Sequence, residues 1–144
     1  MTIALKNFVD GEYRESRSDA VSEIFDPSSG QVYATAPVSN AADVADAYEA
    51  ASRAFEDWGQ STPAERQLAL LRIADAMEAR AEEIADVESR DTGKPRPALV
   101  GDEVLTAAGQ VRFFAGAARN LEGRATAEYS RSHTSSIRRE PIGV

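Results

Sequence analysis

The chain has 144 residues, of which 42% are hydrophobic, so its length and composition suit one packed domain. Its formal net charge of -8 argues against nucleic acid as a partner, because phosphate binding needs clustered Lys and Arg. The absence of cysteine excludes disulfides, thiolate metal sites and a cysteine nucleophile within these residues. No apolar run approaches the roughly 20 residues of a membrane span and no secretory signal is recognisable, so we expect a cytoplasmic location and no membrane partner.

Two hairpins are predicted in the first part of the chain. Asp10 and Gly11 lie between short aromatic and β-branched runs, and this pair favours a tight turn between two strands. The sequence DPSSG at 26–30 is typical of a turn, and it separates strands that we expect at 23–25 and 31–37.

A long helix is predicted over 62–93. Thr62 suits the N-cap, Pro63 the first helical position, and Glu65 completes a capping box, while Gly93 offers the end. Between these ends one apolar stripe continues for about eight turns at ~3.6 residues per turn. We therefore expect a single helix whose stripe must be covered by other elements, and its members are Leu70, Ile73, Ala74, Met77, Ala81 and Ile84.

Amphipathic helices are also predicted on either side of the long one. Ser39 or Asn40 can cap the earlier helix, which should end near Gly59. The later helix has apolar residues in register over 100–118, and Gly123 should mark its exit. No strand is visible between these helices, so the parallel sheet of an α/β protein is under-specified and the architecture reads as incomplete.

The last part of the chain is rich in Ser, Thr and Arg. Its weak alternation over 134–144, TSSIRREPIGV, predicts a strand rather than a helix.

An ordered set of motifs then carries a family resemblance. These motifs are NFVDGEY, DPSSGQV, AYEAASRAFEDWGQSTPAERQLALLRIADAMEARAEEIA, ESRDTGKP, RFFAGAAR and RREPIGV. In this order and spacing they resemble the N-terminal part of the NAD(P)-dependent aldehyde dehydrogenases. Within that family, the stretch RFFAGAARNLEG followed by AEYSRSHTSSIRREPIGV is most similar to gamma-aminobutyraldehyde dehydrogenases, with betaine aldehyde dehydrogenases as near relatives.

The resemblance implies an α/β fold of which this chain is the N-terminal portion. Residues 1–125 would form the hairpins and three amphipathic helices of the dinucleotide-binding domain, and 126–144 would begin an oligomerisation β-arm. It further implies a homodimer or homotetramer that uses NAD or NADP to oxidise a small-molecule aldehyde, and we expect an amino-aldehyde such as gamma-aminobutyraldehyde. The family's cysteine nucleophile, general-base glutamate and cofactor turn lie outside these 144 residues. We therefore predict that the 144 residues alone have no dehydrogenase activity.

The resemblance also implies a structural monovalent cation. Its carboxylate ligand would be Asp91, and the backbone carbonyls of Ile24 and Phe25 would complete the oxygen set that a hard cation prefers. The alternative is that Asp91 only stabilises the turn at its helix end.

The family places acidic residues near the mouth of its substrate tunnel, at positions matching Glu103 and Asp102. Such charge would attract an ammonium-bearing aldehyde, and Glu103 is the preferred candidate. Thr106 and Gln110 match positions that line the tunnel entrance. The alternative is ordinary acidic decoration of a helix N-terminus, which the helix dipole favours.

Two hypotheses about the protein as a whole follow. In the first, the 144 residues are a piece of an aldehyde dehydrogenase. In the second, they are a complete non-catalytic protein that binds a partner such as a dehydrogenase subunit through apolar helix faces and an unpaired strand.

Overall fold

Small β-sheets form the first part of the chain in this computed structural model, which describes residues 2–122 and 127–143. The strands are β1 (Ile3–Ala4), β2 (Asn7–Val9), β3 (Glu12–Arg14), β4 (Val21–Asp26) and β5 (Gln31–Pro37). Strands β2 and β3 form an antiparallel hairpin, while β4 and β5 form a second one to which β1 adds in parallel. Asp10 and Gly11 both have positive φ, 57° and 78°, as a tight hairpin turn requires. Both predicted hairpins are confirmed, whereas β1 was not predicted.

The helix before the long one is confirmed. It is α1 (Ala41–Trp58), and Asn40 rather than Ser39 is its cap, because the Asn40 side chain accepts from the backbone N–H groups of Ala42 and Asp43. The Asp43 carboxylate accepts in return from the backbone N–H of Asn40, completing a capping box.

The prediction of one helix over 62–93 is wrong, although both of its ends are confirmed. The stretch forms α2 (Pro63–Ala79) and α3 (Ala81–Thr92), separated at Arg80, whose φ and ψ of -115° and 20° are not helical. Thr62 and Glu65 form the expected capping box, and Gly93 ends α3 in the left-handed conformation. The break has a packing reason. Helix α2 packs mainly on the helix at Thr106–Ala117, whereas α3 contacts β4 and the segment Leu99–Leu105.

The later helix is less regular than predicted. It begins as the short α4 (Arg96–Ala98), continues as a π-helix over Leu99–Leu105, here called the π segment, and becomes α5 (Thr106–Ala117). Leu99 and Val104 of the π segment are buried. The predicted exit at Gly123 lies outside the described residues, and α5 ends at Ala117.

Strands β6 (Ala127–Ser130) and β7 (His133–Ser135) form an antiparallel hairpin in the last part of the chain. The strand predicted over 134–144 is therefore confirmed only at its start, because residues 136–143 are not in a strand. The proposed domain boundary between 125 and 126 lies within residues 123–126, which the structure does not describe.

The buried core among the described residues is small and consists largely of alanine. Small side chains let helices and strands approach closely, but they bury little apolar area. Many large apolar side chains stay exposed, for example Phe113 at 71% and Leu121 at 68%. Within residues 2–122 and 127–143, no helix is long and apolar enough to cross a membrane. The buried residues are Ala34, Ala50, Ala74, Ala81, Ala85, Leu99, Val104, Ala108 and Ala115.

Candidate functional site

The C-terminal end of α3 meets β5 through a carboxylate and a phenol. The hydroxyl of Tyr33 donates a hydrogen bond to Oδ1 of Asp91 at 3.0 Å. The guanidinium of Arg90 lies 4.5 Å from the centroid of the Tyr33 ring, a distance at which a cation–π contact is favourable. Burial, followed by the bond to Asp91, raises the pKa of the Tyr33 phenol, so the hydroxyl stays protonated and acts as the donor.

A β-bulge aims Tyr33 at this helix end. Ile24 pairs with Ala34 and Phe25 pairs with Val32, which leaves Tyr33 as the extra residue on β5. Bulges bend a strand and re-aim a side chain, and they interrupt the ladder locally. The interruption therefore falls between Ile24 and Phe25, the residues whose carbonyl oxygens were predicted as cation ligands.

The structure places the predicted cation ligands on neighbouring elements. Asp91 lies on α3, Ile24 and Phe25 lie on β4, and these two elements are in contact. Strand β4 is an edge of the described three-stranded sheet, so part of its backbone faces away from β5. All the donors are oxygen, which fits a hard cation. The described residues contain no group of three or more His, Cys, Asp or Glu that could hold a metal ion.

The tunnel candidates lie on the π segment and α5, and the preferred one is already paired. Glu103 accepts a hydrogen bond from the Lys94 ammonium at 2.8 Å, and the same ammonium lies 3.3 Å from Glu88. The bonds to Glu103 and then Glu88 raise the pKa of Lys94, so the lysine keeps its charge. The negative charge of Glu103 is therefore offset locally.

Asp102 differs from its neighbour. Its side chain is exposed and makes no salt bridge or hydrogen bond within the described part of the chain. Thr106 and Gln110 are exposed and one turn apart on α5, so they share a face. The Thr106 hydroxyl lies 3.4 Å from the carbonyl oxygen of Gly101 in the π segment, a long and weak hydrogen bond.

Sequence reasoning missed Tyr33 and Lys94, the side chains that donate hydrogen bonds to the carboxylates of Asp91 and Glu103. Tyr33 looked like an ordinary member of an alternating strand, since a bulge leaves no signature in that pattern. Lys94 followed a glycine at a helix end and its partner Glu103 lies on another element, so no helical spacing connected them.

Comparisons with known proteins agree with this architecture. The profile of the Aldehyde dehydrogenase family matches residues 13–144. The chain belongs to the aldehyde dehydrogenase family. It is 36% identical over 148 aligned residues to the NADP/NAD-dependent aldehyde dehydrogenase PuuC of Escherichia coli (strain K12), covering 100% of this chain and 30% of that protein. It is 37% identical over 113 residues to a 2-aminomuconic semialdehyde dehydrogenase of Danio rerio, covering 78% of this chain and 23% of that protein.

Solved structures of the family superpose closely on the chain. An indole-3-acetaldehyde dehydrogenase of P. syringae, solved with NAD+ and IAA, matches with a TM-score of 0.88 and 29% identity over 99% of this chain and 29% of its own. PnpE in complex with nicotinamide adenine dinucleotide matches with a TM-score of 0.87 and 32% identity, over 99% of this chain and 28% of its own. The aldehyde dehydrogenase chain described here thus spans less than a third of these relatives, consistent with the predicted N-terminal portion of the fold.

Proposed function

We propose that this chain is the N-terminal part of an enzyme that oxidises an aldehyde to a carboxylic acid with NAD or NADP. The observation that carries the proposal is 36% identity to a bacterial aldehyde dehydrogenase across the whole of this chain. In this reaction the aldehyde and water would yield the acid and a proton, and NAD or NADP, when bound, would supply the acceptor for the hydride. The nucleophile and general base belong to sequence outside these residues, so this chain contributes scaffold, a candidate cation site and a candidate tunnel entrance.

The proposed substrate is an amino-aldehyde. The 2-aminomuconic semialdehyde dehydrogenase of Danio rerio, a relative of this chain, is named for an aldehyde that carries an amino group. An exposed carboxylate near the entrance would attract an ammonium group on such a substrate. Asp102 suits this role better than Glu103, because Lys94 already neutralises Glu103. Thr106 and Gln110 would line the entrance beside Asp102.

The test compares 4-aminobutanal with butanal in the full-length gene product. We expect Asp102→Asn to lower kcat/KM for 4-aminobutanal relative to butanal by about two- to fivefold, the range of a weak exposed ion pair. Glu103→Gln should change this ratio less. Asp19→Asn is the control, because it removes an equal charge on the loop before β4. An unchanged ratio in Asp102→Asn would exclude the substrate contact, and no turnover of any aldehyde would exclude the dehydrogenase.

A structural monovalent cation bound by Asp91 and the carbonyl oxygens of Ile24 and Phe25 is part of the proposal. Such an ion would join the C-terminal end of α3 to the edge strand β4 and supply no redox chemistry. The proposal is supported by the all-oxygen donor set and by the interrupted ladder at Ile24 and Phe25.

We also propose that residues 126–144 begin a β-arm that joins subunits into a homodimer or homotetramer and that the protein is cytoplasmic. Sedimentation of the full-length gene product tests the oligomer.

The second candidate is a non-catalytic protein that binds a dehydrogenase subunit. The favouring observation is the exposure of large apolar side chains, Phe113 and Phe114 among them. The gene's reading frame beyond residue 144 separates the two candidates: a frame that continues into a cysteine-bearing catalytic segment supports the enzyme, and a stop codon supports the binding protein.

A further inference from the structure

Tyr33 stands out as a residue whose position needs an explanation. It is half-buried, it is the extra residue of a β-bulge, and its hydroxyl reaches across to the side chain of Asp91 on α3. A bulge disrupts a strand ladder and persists where it re-aims a side chain usefully. Here the re-aimed side chain holds one oxygen of a carboxylate at 3.0 Å.

The other oxygen of that exposed carboxylate has no protein partner among the residues that the structure describes. Within residues 2–122 and 127–143, Oδ2 of Asp91 accepts no hydrogen bond and the carboxylate makes no salt bridge. Arg90 is the adjacent residue, yet its guanidinium lies over the Tyr33 ring instead of pairing with Asp91. The same tyrosine thus orients the carboxylate with its hydroxyl and holds the nearest guanidinium with its ring.

We propose that Tyr33 is a positioning residue for the monovalent cation site, and this rests on the proposed site at Asp91, Ile24 and Phe25. A carboxylate that is free to rotate loses conformational entropy when it binds an ion, whereas a carboxylate already held by a hydrogen bond has lost that entropy before the ion binds. Partners that orient a metal ligand in this way typically change metal affinity by about 10- to 100-fold when they are removed. The bulge serves both parts of the site, since it aims Tyr33 and interrupts the ladder at the carbonyl ligands.

A purely structural role for Tyr33 predicts something different. If the hydrogen bond only fastened α3 to β5, its loss would lower the melting temperature by the same amount in every salt. If Tyr33 instead positions the carboxylate, loss of its hydroxyl raises the cation concentration at which the stabilisation is half complete. The half-saturating concentration therefore separates the two roles.

The experiment measures thermal melting of the full-length gene product in KCl or NaCl titrated against choline chloride at constant ionic strength. We expect the wild type to gain stability saturably with K+ or Na+. Tyr33→Phe keeps the ring and its contact with Arg90 but removes the hydroxyl, and it should raise the half-saturating concentration by about tenfold. Tyr48→Phe is the matched control, because Tyr48 is 68% exposed and the same change there should leave the titration unaltered.

Each outcome decides a different part of the proposal. If Asp91→Asn abolishes the cation response but Tyr33→Phe leaves the half-saturating concentration unchanged, or lowers it, the site stands and the role of Tyr33 is wrong. A wild type that melts identically in all three salts overturns the site, and the inference about Tyr33 falls with it. Aldehyde oxidation is measured separately, so neither result is confused with failure of the proposed activity.

Discussion

Gly93 lies so close to Pro27 that a Cβ atom added to the glycine would stand 2.9 Å from Cγ of the proline. Gly93 ends α3 with a φ of 76°, and Pro27 lies in the turn between β4 and β5. The contact therefore fastens the end of α3 to the hairpin that carries Ile24, Phe25 and Tyr33. Position 93 needs glycine for two reasons, its backbone conformation and the space beside it.

We predict that Gly93→Ala lowers the free energy of unfolding by about 1–3 kcal/mol, since a left-handed residue with a Cβ atom costs about 1–2 kcal/mol before any contact is counted. The control is Gly30→Ala, where φ is also positive, 68°, but nothing lies within 4 Å of the added atom. Urea unfolding should show a larger loss at Gly93. Equal losses would mean that the Pro27 contact contributes nothing, and Pro27→Ala should recover part of the loss in Gly93→Ala.

The cap of α1 offers a second prediction. Asn40→Ala removes the side-chain oxygen that accepts from the backbone N–H groups of Ala42 and Asp43 at 2.9 and 3.1 Å. We expect a loss of about 1 kcal/mol in urea unfolding, and Asn40→Ser should keep most of that stability. If the serine variant were as unstable as the alanine variant, the capping interaction would not be the cause.

Acid should weaken the junction between α1 and the loop before β4. The Asp43 carboxylate accepts from the Ser16 hydroxyl at 2.6 Å and from the backbone N–H groups of Arg17 and Asn40 at 3.0 Å. These bonds favour the ionised form, so the pKa of Asp43 is lowered from its ordinary value of 3.8. Their stabilisation is therefore fully present above that ordinary value and is lost as the pH falls through the lower pKa of the folded state.

Asp43→Asn should accordingly be less stable than the wild type at neutral pH, and the difference should shrink below a pH of about 4. Urea unfolding across this range measures it. Asp19→Asn is the control, because the Asp19 side chain makes no hydrogen bond or salt bridge among the described residues. A difference at Asp43 that stays constant down to a pH of about 2 would contradict this assignment.

Lys94 provides a prediction about the entrance region. Lys94→Met removes the single ammonium that pairs with both Glu103 and Glu88 and offsets one of their two negative charges. If the π segment faces the substrate entrance, the freed carboxylates should raise kcat/KM for 4-aminobutanal relative to butanal by about two- to fivefold. Lys6→Met is the matched control, because it also removes a lysine paired with a glutamate, Glu15, but both residues lie far in the sequence from the π segment. A ratio that does not rise in Lys94→Met would remove the π segment from the entrance.

Features set within a few residues could be predicted from the sequence. Asp10 and Gly11 make their turn, Asn40 and Thr62 cap their helices, and Gly93 ends α3, because each acts on backbone groups close to it in the chain. The ordered motifs likewise identified the family. The candidate residues Asp91, Asp102 and Glu103 came from that family resemblance, and their roles stay predictions.

The tertiary structure decided whatever depends on packing between distant elements. The apolar stripe over 62–93 is continuous, yet the chain breaks at Arg80, because α2 packs mainly on α5 whereas α3 packs mainly on the π segment and β4. The π segment, the bulge at Tyr33 and the pairing of Glu103 with Lys94 also arise between elements. Local hydrogen bonding determines turns and caps within one segment, whereas side-chain partners across segments are chosen only when the helices and strands have packed together.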